Sequence, residues 1–252
     1  MYNLIDLTDK NIIITGASSG IGRETAYLLH KLGAKVILIA RRSDKLQEIQ
    51  DDLGSRVAIY PFDLSNLDLI ASEIKQIVNE CGAIDGLVHC AGIGAVRPLK
   101  MLKPAALNDV MTINYYSFVE VVRCITAKKA FNPGLSIVAI SSVSSVQGNQ
   151  SKTAYCASKA AMDASVRCMA KELADKDIRV NTIAPALINT DIYMEFKENG
   201  SDSDDAKNIE TRQYMGVGEP IDVANAVAFL LSSASKYITG IMLLMDGGRF
   251  TS

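Results

Sequence analysis

Short apolar runs alternate with stretches of helical periodicity along most of the chain. Asn11–Thr15, Lys35–Ala40, Arg56–Tyr60, Ile84–Cys90, Leu135–Ile140, Ile178–Ile183 and Ile241–Met245 read as seven strands. They are near-continuously apolar, as strands covered on both faces are. Between the first two, Ile21, Thr25, Leu28, Leu29 and Leu32 fall at helical spacing, and Gly33 closes the pattern as a C-cap. Leu46–Leu53 predicts a short helix, and another opens at Ser65. Leu107–Ala130 predicts one long helix with Asn114 in its middle. Met162, Val166, Met169, Ala170 and Leu173 form one stripe of the helix that begins near Tyr155. Glu219-Pro220 opens the last helix, with Val223, Ala226, Val227, Leu230 and Leu231 on one face. Strands alternating with helices predict an α/β fold: a doubly wound, seven-stranded parallel sheet, right-handed crossovers, helices on both faces. No linker or repeat divides the 252 residues, so one domain is expected. Residues 186–218 lose periodicity and read as an insert covering a substrate. Within them the small acidic stretch Asn199–Asp205 reads as mobile, and Tyr193, Met194 and Phe196 as an apolar lining or an anchor to the core.

Composition narrows the function classes. The formal net charge is -2, and no basic run exceeds Arg41-Arg42 or Lys128-Lys129, which argues against a nucleic-acid partner. No apolar run approaches ~18 residues, so no membrane span is expected. The N-terminus, Met1–Asp6, has an early acid and no basic region, unlike a signal peptide. The five cysteines are odd in number and form no CxxC pair. They read as free thiols in a reducing compartment, and a cytoplasmic location is expected. His30 and His89 form no ligand pattern, so no metal site is expected.

The candidate chemistry gathers at the carboxyl ends of the strands, where ligands of such sheets bind. Gly16-Ala17-Ser18-Ser19-Gly20-Ile21-Gly22 follows the first strand and opens a helix. Glycines let a backbone turn tightly and approach a pyrophosphate, and a helix N-terminus presents free N–H groups to it. An ordinary strand-to-helix loop would carry the same glycines. After the second strand, where an acid would hold a ribose 2′-hydroxyl, stand Ala40, Arg41 and Arg42. Two guanidiniums favour a 2′-phosphate, hence NADP(H) over NAD(H); solvated arginines at a strand end are the plain alternative. Asp63-Leu64 follows the third strand, and Ala91-Gly92 the fourth. Ser142 lies in a serine cluster after the fifth, which otherwise reads as a polar loop, and Pro185 ends the sixth. Asn114, mildly unfavourable in mid-helix, is either solvated or a placed hydrogen-bonding group. Tyr155 and Lys159 stand four residues apart on one helix face. A cation within reach lowers a phenol's pKa from ~10, poising it for proton transfer at a carbonyl or alcohol oxygen. Alone, that pair is also common on solvated helices.

Taken together these residues resemble the short-chain dehydrogenase/reductase family, in its single-domain branch with a Rossmann-type sheet. The resemblance runs from about Asn11 to Gly248. Thr15-Gly16-x-x-x-Gly20-x-Gly22 matches the family's cofactor turn, Asp63-Leu64 its adenine contact, and Asn114, Ser142, Tyr155 and Lys159 its catalytic tetrad. Arg179-Val180-Asn181, Pro185–Thr190 and Asp246-Gly247-Gly248 match later motifs. The resemblance implies that Tyr155 is the general acid or base and that Lys159 lowers its pKa and bonds the nicotinamide ribose. Ser142 then bonds the substrate oxygen, and Asn114 holds a relay water. Ser18, Ser19, Ile21, Cys90, Ala91, Gly92, Pro185, Ile188 and Thr190 fall at cofactor-lining positions. Cys90 departs from the family's asparagine, which weakens the adenosine-ribose contact. Ala186 stands where glycine is usual. Among relatives the pattern is most similar to 3-oxoacyl-carrier-protein reductases, with Lys128, Lys129 and Lys171 as a basic face toward an acidic carrier. The implied substrate is a small carbonyl compound or alcohol, free or carrier-bound. An NAD(H)-linked sugar or polyol dehydrogenase and a non-catalytic cofactor sensor are the alternatives. A homotetramer or dimer, built through the helices at roughly 105–130 and 153–175 and the last strand, is also implied.

Overall fold

The computed structural model describes residues 5–191, 193, 194 and 212–251. Seven parallel strands form one sheet: β1 (Asn11–Thr15), β2 (Lys35–Ala40), β3 (Val57–Pro61), β4 (Ile84–His89), β5 (Phe131–Ile140), β6 (Arg179–Pro185) and β7 (Met242–Met245). Their order is β3-β2-β1-β4-β5-β6-β7. The expected strands and doubly wound α/β class are therefore present. Asn199–Asp205, read as mobile, and Phe196 lie outside the described residues.

The period-two alternation of β1 shows why the sheet needs two helical layers. Ile12 and Ile14 point to one face, where they pack with Ala26 and Leu29 of α1 (Gly20–Lys31), Leu46 and Ile49 of α2 (Ser43–Leu53), and Val223 and Val227 of α7 (Pro220–Leu231). Ile13 points to the other. There it joins Ile70 and Ile74 of α3 (Leu67–Cys81), Phe118 and Val121 of α5 (Ser117–Ile125), and Met162 and Val166 of α6 (Thr153–Glu172). Each of these Val, Leu, Ile, Phe and Met side chains, fully buried, contributes roughly 1.5–3 kcal/mol. Glu219 and Asp222 form a reciprocal capping box at the start of α7, with Pro220 at its first turn, as the sequence pattern predicts.

The expected single helix over Leu107–Ala130 is corrected. The chain forms α4 (Pro104–Met111), a wide π turn over Thr112–Tyr116, and then α5, which ends at Ile125. Asn114 causes no break in periodicity that a sequence pattern reveals. Its side chain is fully buried and bonds the backbone of Ile93 in both directions, accepting from its N–H at 2.8 Å and donating to its carbonyl at 3.1 Å. These bonds belong to the loop after β4, so tertiary contact favours the extra residue in the turn. Single-turn π bulges of this kind recur at functional sites. β5 starts at Phe131 rather than Leu135, because Phe131 pairs with Ile84 before the register shifts ahead of Ser136.

His89 closes β4 in full burial, its ring against Phe118 at 5.3 Å between centroids. Nδ1 lies 3.1 Å from Thr15 Oγ1, and Nε2 has no partner among the described residues. Burial, with Lys159's charge nearby, brings its pKa down to about 3. Below pH ~6.5 the unfolded chain takes a proton that the folded chain refuses, so stability is present above that pH and lost as pH falls towards 3. Chemical denaturation across pH 4–6.5 should therefore show His89→Asn losing stability less steeply than the parent, by up to about 1.4 kcal/mol per pH unit. Parallel slopes would refute a neutral, buried imidazole.

Candidate active site

The strand order reverses between β1 and β4, so the loops leaving these two strands diverge and open a crevice at their carboxyl ends. A cavity of about 830 Å3 occupies it. Its lining includes Gly16, Ser18, Ser19, Gly20, Ile21 and Gly22 at one end, with Arg41, Arg42, Asp63 and Leu64. Cys90, Ala91, Gly92, Pro185, Ile188 and Thr190 continue it, and Ser142, Tyr155 and Lys159 wall the far end. Every cofactor residue expected from the sequence thus lines this one cavity. Asn114 is placed just behind the wall; a Cβ added at Gly92 would lie 3.3 Å from Asn114 Oδ1 and 3.5 Å from Lys159 Nζ.

At the glycine-rich end the backbone itself is the surface. Gly16 has φ +66°, and a Cβ there would lie 2.7 Å from the Ala91 nitrogen, so a side chain would drive the β1 and β4 loops apart. Ser19 caps α1 without a side-chain hydrogen bond to its first turn, and no acidic residue occupies that turn. The helix N-terminus therefore faces the cavity with donors and positive partial charge, which suits a pyrophosphate. Beside it Arg42 donates from Nη2 to Ser18 Oγ at 3.0 Å and to Ser19 Oγ at 2.8 Å. Arg41 Nη1 lies 3.8 Å from Asp63 Oδ2, the arginine largely exposed and the carboxylate partly so. The residues present fit a dinucleotide, with guanidiniums next to the site for its adenosine end.

The far end is built by β5 and α6. Ser142 leaves β5 in an extended conformation, buried, its Oγ accepting from the Ser144 N–H at 3.1 Å. Its side chain also faces the Tyr155 hydroxyl closely enough to favour the ionised phenol. A phenol and a hydroxyl placed in this way can hold one oxygen atom between them. Lys159, one turn after Tyr155, is buried and donates from Nζ to the Ile140 carbonyl at 2.7 Å. Its ammonium stands 5.9 Å from the Tyr155 ring centroid.

Burial sets the electrostatics of this wall. Burial raises the Tyr155 pKa above its ordinary value, and the Ser142 side chain only partly offsets this. Lys159 is itself desolvated, which brings its pKa down to about 8, and donates to a carbonyl. The i, i+4 spacing does bring the phenol and the ammonium together, and burial acts on both. Cys90's thiol is pushed up to about 12 by burial, so it is a neutral, weak hydrogen-bond partner, as the departure from asparagine implied.

Asp163 was not anticipated. It lies four residues after Lys159, is buried, and accepts from Ser141 Oγ at 2.9 Å. Its charge opposes the fall in the Lys159 pKa. An acid on the buried stripe of α6, one turn beyond a cation, was the available signal. No group of three potential metal ligands occurs among the described residues.

Comparison with known proteins places this site in a family. The family model described as Enoyl-(Acyl carrier protein) reductase matches residues 16–249. The chain is 34% identical over 250 residues to 3-oxoacyl-(acyl-carrier-protein) reductase FabG of Vibrio harveyi, covering 98% of this chain and 99% of that protein. It is 33% identical over 247 residues to L-xylulose reductase of Caenorhabditis elegans, covering 96% of each. Among solved structures, a 7 alpha-hydroxysteroid dehydrogenase complexed with NADH and 7-oxo glycochenodeoxycholic acid superposes with TM-score 0.90 at 30% identity, covering 98% of both chains. The fold, the cavity at its switch point and these matches across nearly the whole length agree: the chain belongs to the short-chain dehydrogenase/reductase family, oxidoreductases that use a nicotinamide cofactor on CH–OH or carbonyl groups.

Proposed function

We propose that the protein is an NADP(H)-dependent reductase of a ketone, or the reverse dehydrogenase of a secondary alcohol, with a 3-oxoacyl thioester as the substrate to test first. The observation that carries the cofactor choice is Arg42 lying across Ser18 and Ser19, with Arg41 beside Asp63. Two guanidiniums and two hydroxyls clustered beside the glycine-rich turn support this reading, because such a set suits a phosphate dianion. The 34% identity to 3-oxoacyl-(acyl-carrier-protein) reductase FabG supports the thioester. Lys128, Lys129 and Lys171 are exposed, as a face for an acidic carrier requires.

In this reading the reduced cofactor supplies a hydride to the carbonyl carbon. Tyr155 gives its phenolic proton to the carbonyl oxygen, and Ser142 donates a hydrogen bond to that oxygen as negative charge develops. Lys159 holds the nicotinamide ribose and returns a proton to Tyr155; Asn114 completes the relay from behind the wall. Ala157 and Ala164 on α6 are exposed, leaving them open to a second copy in the proposed homotetramer.

The L-xylulose reductase relative favours a second reading, a sugar or polyol substrate. Steady-state rates with NADPH and NADH, each against acetoacetyl thioester and xylulose, separate the two. We expect kcat/KM to favour NADPH by at least about a hundredfold, two charge-assisted hydrogen bonds being worth that much. Preference for NADH with turnover of the sugar alone would replace this reading with the second.

A further inference from the structure

Asp163 is an acid to which the reaction above gives no part, and it is almost out of water. It stands on α6 four residues after Lys159, on the same side of the helix, and only 5% of it is exposed. A carboxylate on a stretch of helix whose neighbours Met162 and Val166 are core residues is costly unless its surroundings answer it. Ser141 answers it: its Oγ donates to Asp163 Oδ2 at 2.9 Å. Oδ1 has no partner among the described residues.

Ser141 is fixed from two directions. Ile137 and Ala139 of β5 point to the α6 side of the sheet, and Ser141, two residues on, continues that alternation, so its hydroxyl meets α6. Its backbone N–H donates to the Ile183 carbonyl of β6 at 2.7 Å. The residues on either side of it belong to the wall that holds the reacting groups. Before it, the Ile140 carbonyl accepts from Lys159 Nζ at 2.7 Å. After it, Ser142 faces the Tyr155 hydroxyl. Each is one planar peptide from Ser141, so a shift of Ser141 moves both at once. Ser141 lines the cavity, whereas Asp163 stands outside its lining.

Charge acts in the same direction as the hydrogen bonds. Among the described residues the titratable groups near Lys159 are Tyr155 and Asp163 on α6, with His89 and Cys90 at the end of β4. Burial keeps Tyr155, His89 and Cys90 neutral at pH 7. Burial also brings the Lys159 pKa down, and the Asp163 charge opposes this.

We propose that Asp163 is a positioning residue: through Ser141 it fixes the end of β5, and so sets where the Lys159 ammonium and the Ser142 hydroxyl stand. One turn from Lys159, its carboxylate also favours the ammonium over the amine. This rests on the reductase reading above and adds to it a group that acts on the reaction without touching substrate or cofactor.

The test follows kcat and its pH profile with NADPH and acetoacetyl thioester, or xylulose if the sugar alone is turned over, with thermal unfolding of each variant beside it. Asp163→Ala and Ser141→Ala should lose ten- to hundredfold in kcat per folded enzyme, about what a 1 Å misplacement costs. Asp163→Asn keeps an acceptor for Ser141 and removes the charge. It should recover much of the kcat that Asp163→Ala loses at pH 6, while its alkaline decline, near pH 8 in the parent, moves down by about one pH unit. A role confined to stability lowers the unfolding temperature and leaves that midpoint in place. Asp163→Ala with the parent's kcat per folded enzyme, or Asp163→Asn with the parent's alkaline midpoint, overturns the proposal and leaves the reductase reading standing. If neither substrate is turned over, the reductase reading fails, and NADPH binding followed by its fluorescence from pH 6 to 10 decides the proposal. Binding should weaken as Lys159 loses its proton, at lower pH in Asp163→Asn than in the parent; coincident curves, or none that depend on pH, overturn it. Should Asp163→Ala not fold, Ser141→Ala, which removes one oxygen and leaves the carboxylate, carries the kcat comparison.

Discussion

Tyr155→Phe should lower kcat by at least ~10²–10⁴ while the protein keeps its fold and still gains thermal stability from cofactor. The substitution removes one oxygen atom. The ring stays, so the packing of α6 through Met162, Val166 and Ala170 is untouched. What is lost is the hydroxyl that faces Ser142 at the cavity wall. Without it no group at that position can deliver a proton to a developing alkoxide, and Ser142 alone gives a hydrogen bond without a transferable charge balance. The pH profile sharpens the test. Because burial raises the Tyr155 pKa, the phenol stays protonated through neutral and mildly alkaline pH and remains competent as an acid. Lys159 titrates first, at about 8, losing the charge that would support the departing proton. Reduction should therefore decline above about pH 8, on Lys159 rather than on the phenol. Single-turnover and steady-state rates from pH 6 to 10 check both points. A variant retaining a tenth of the parent rate would remove Tyr155 from the proton transfer.

Arg42→Ala should raise the KM for NADPH by about ten- to a hundredfold and move the KM for NADH by less than about threefold. The guanidinium reaches Ser18 and Ser19 from the end of β2 with bonds of 2.8–3.2 Å, so its position over the glycine-rich turn is set before any ligand binds. A preorganised, exposed guanidinium on a phosphate is worth about 1.5–3 kcal/mol, and each 1.4 kcal/mol is tenfold. Arg41→Ala should cost less, because Arg41 is already partnered at 3.8 Å by Asp63. Raising the ionic strength should weaken NADPH binding in the parent and much less in Arg42→Ala, since the exposed charge is screened. Equal losses for both cofactors would mean that Arg42 supports the loop and reads no phosphate.

Much of this was legible in the residues, for reasons that differ by element. β1, β2 and β4 are read easily because both faces are buried and their central positions are mostly apolar; Ile12, Ile13 and Ile14 need no partner to be recognised. The stripe of α6 is legible because a 3.6-residue period survives any tertiary setting. The break at Asn114 was not legible: its cause is the backbone of Ile93, 21 residues away, which no local pattern contains. The start of β5 was misread for a similar reason, since Phe131 is recruited by Ile84 across the sheet.

By itself the sequence determined the seven strands, their alternation with helices, and which residue types end each strand. Those follow from periodicity and backbone preference, which are local. It also determined the identities at the tetrad positions. Only the tertiary structure decided how those groups behave: that Tyr155 is pushed up, that Lys159 faces the Ile140 carbonyl, and that Asp163 opposes its loss of charge. Hydration, charge and hydrogen-bond partners are properties of the space around a group, and that space is assembled from strands and helices far apart in the chain.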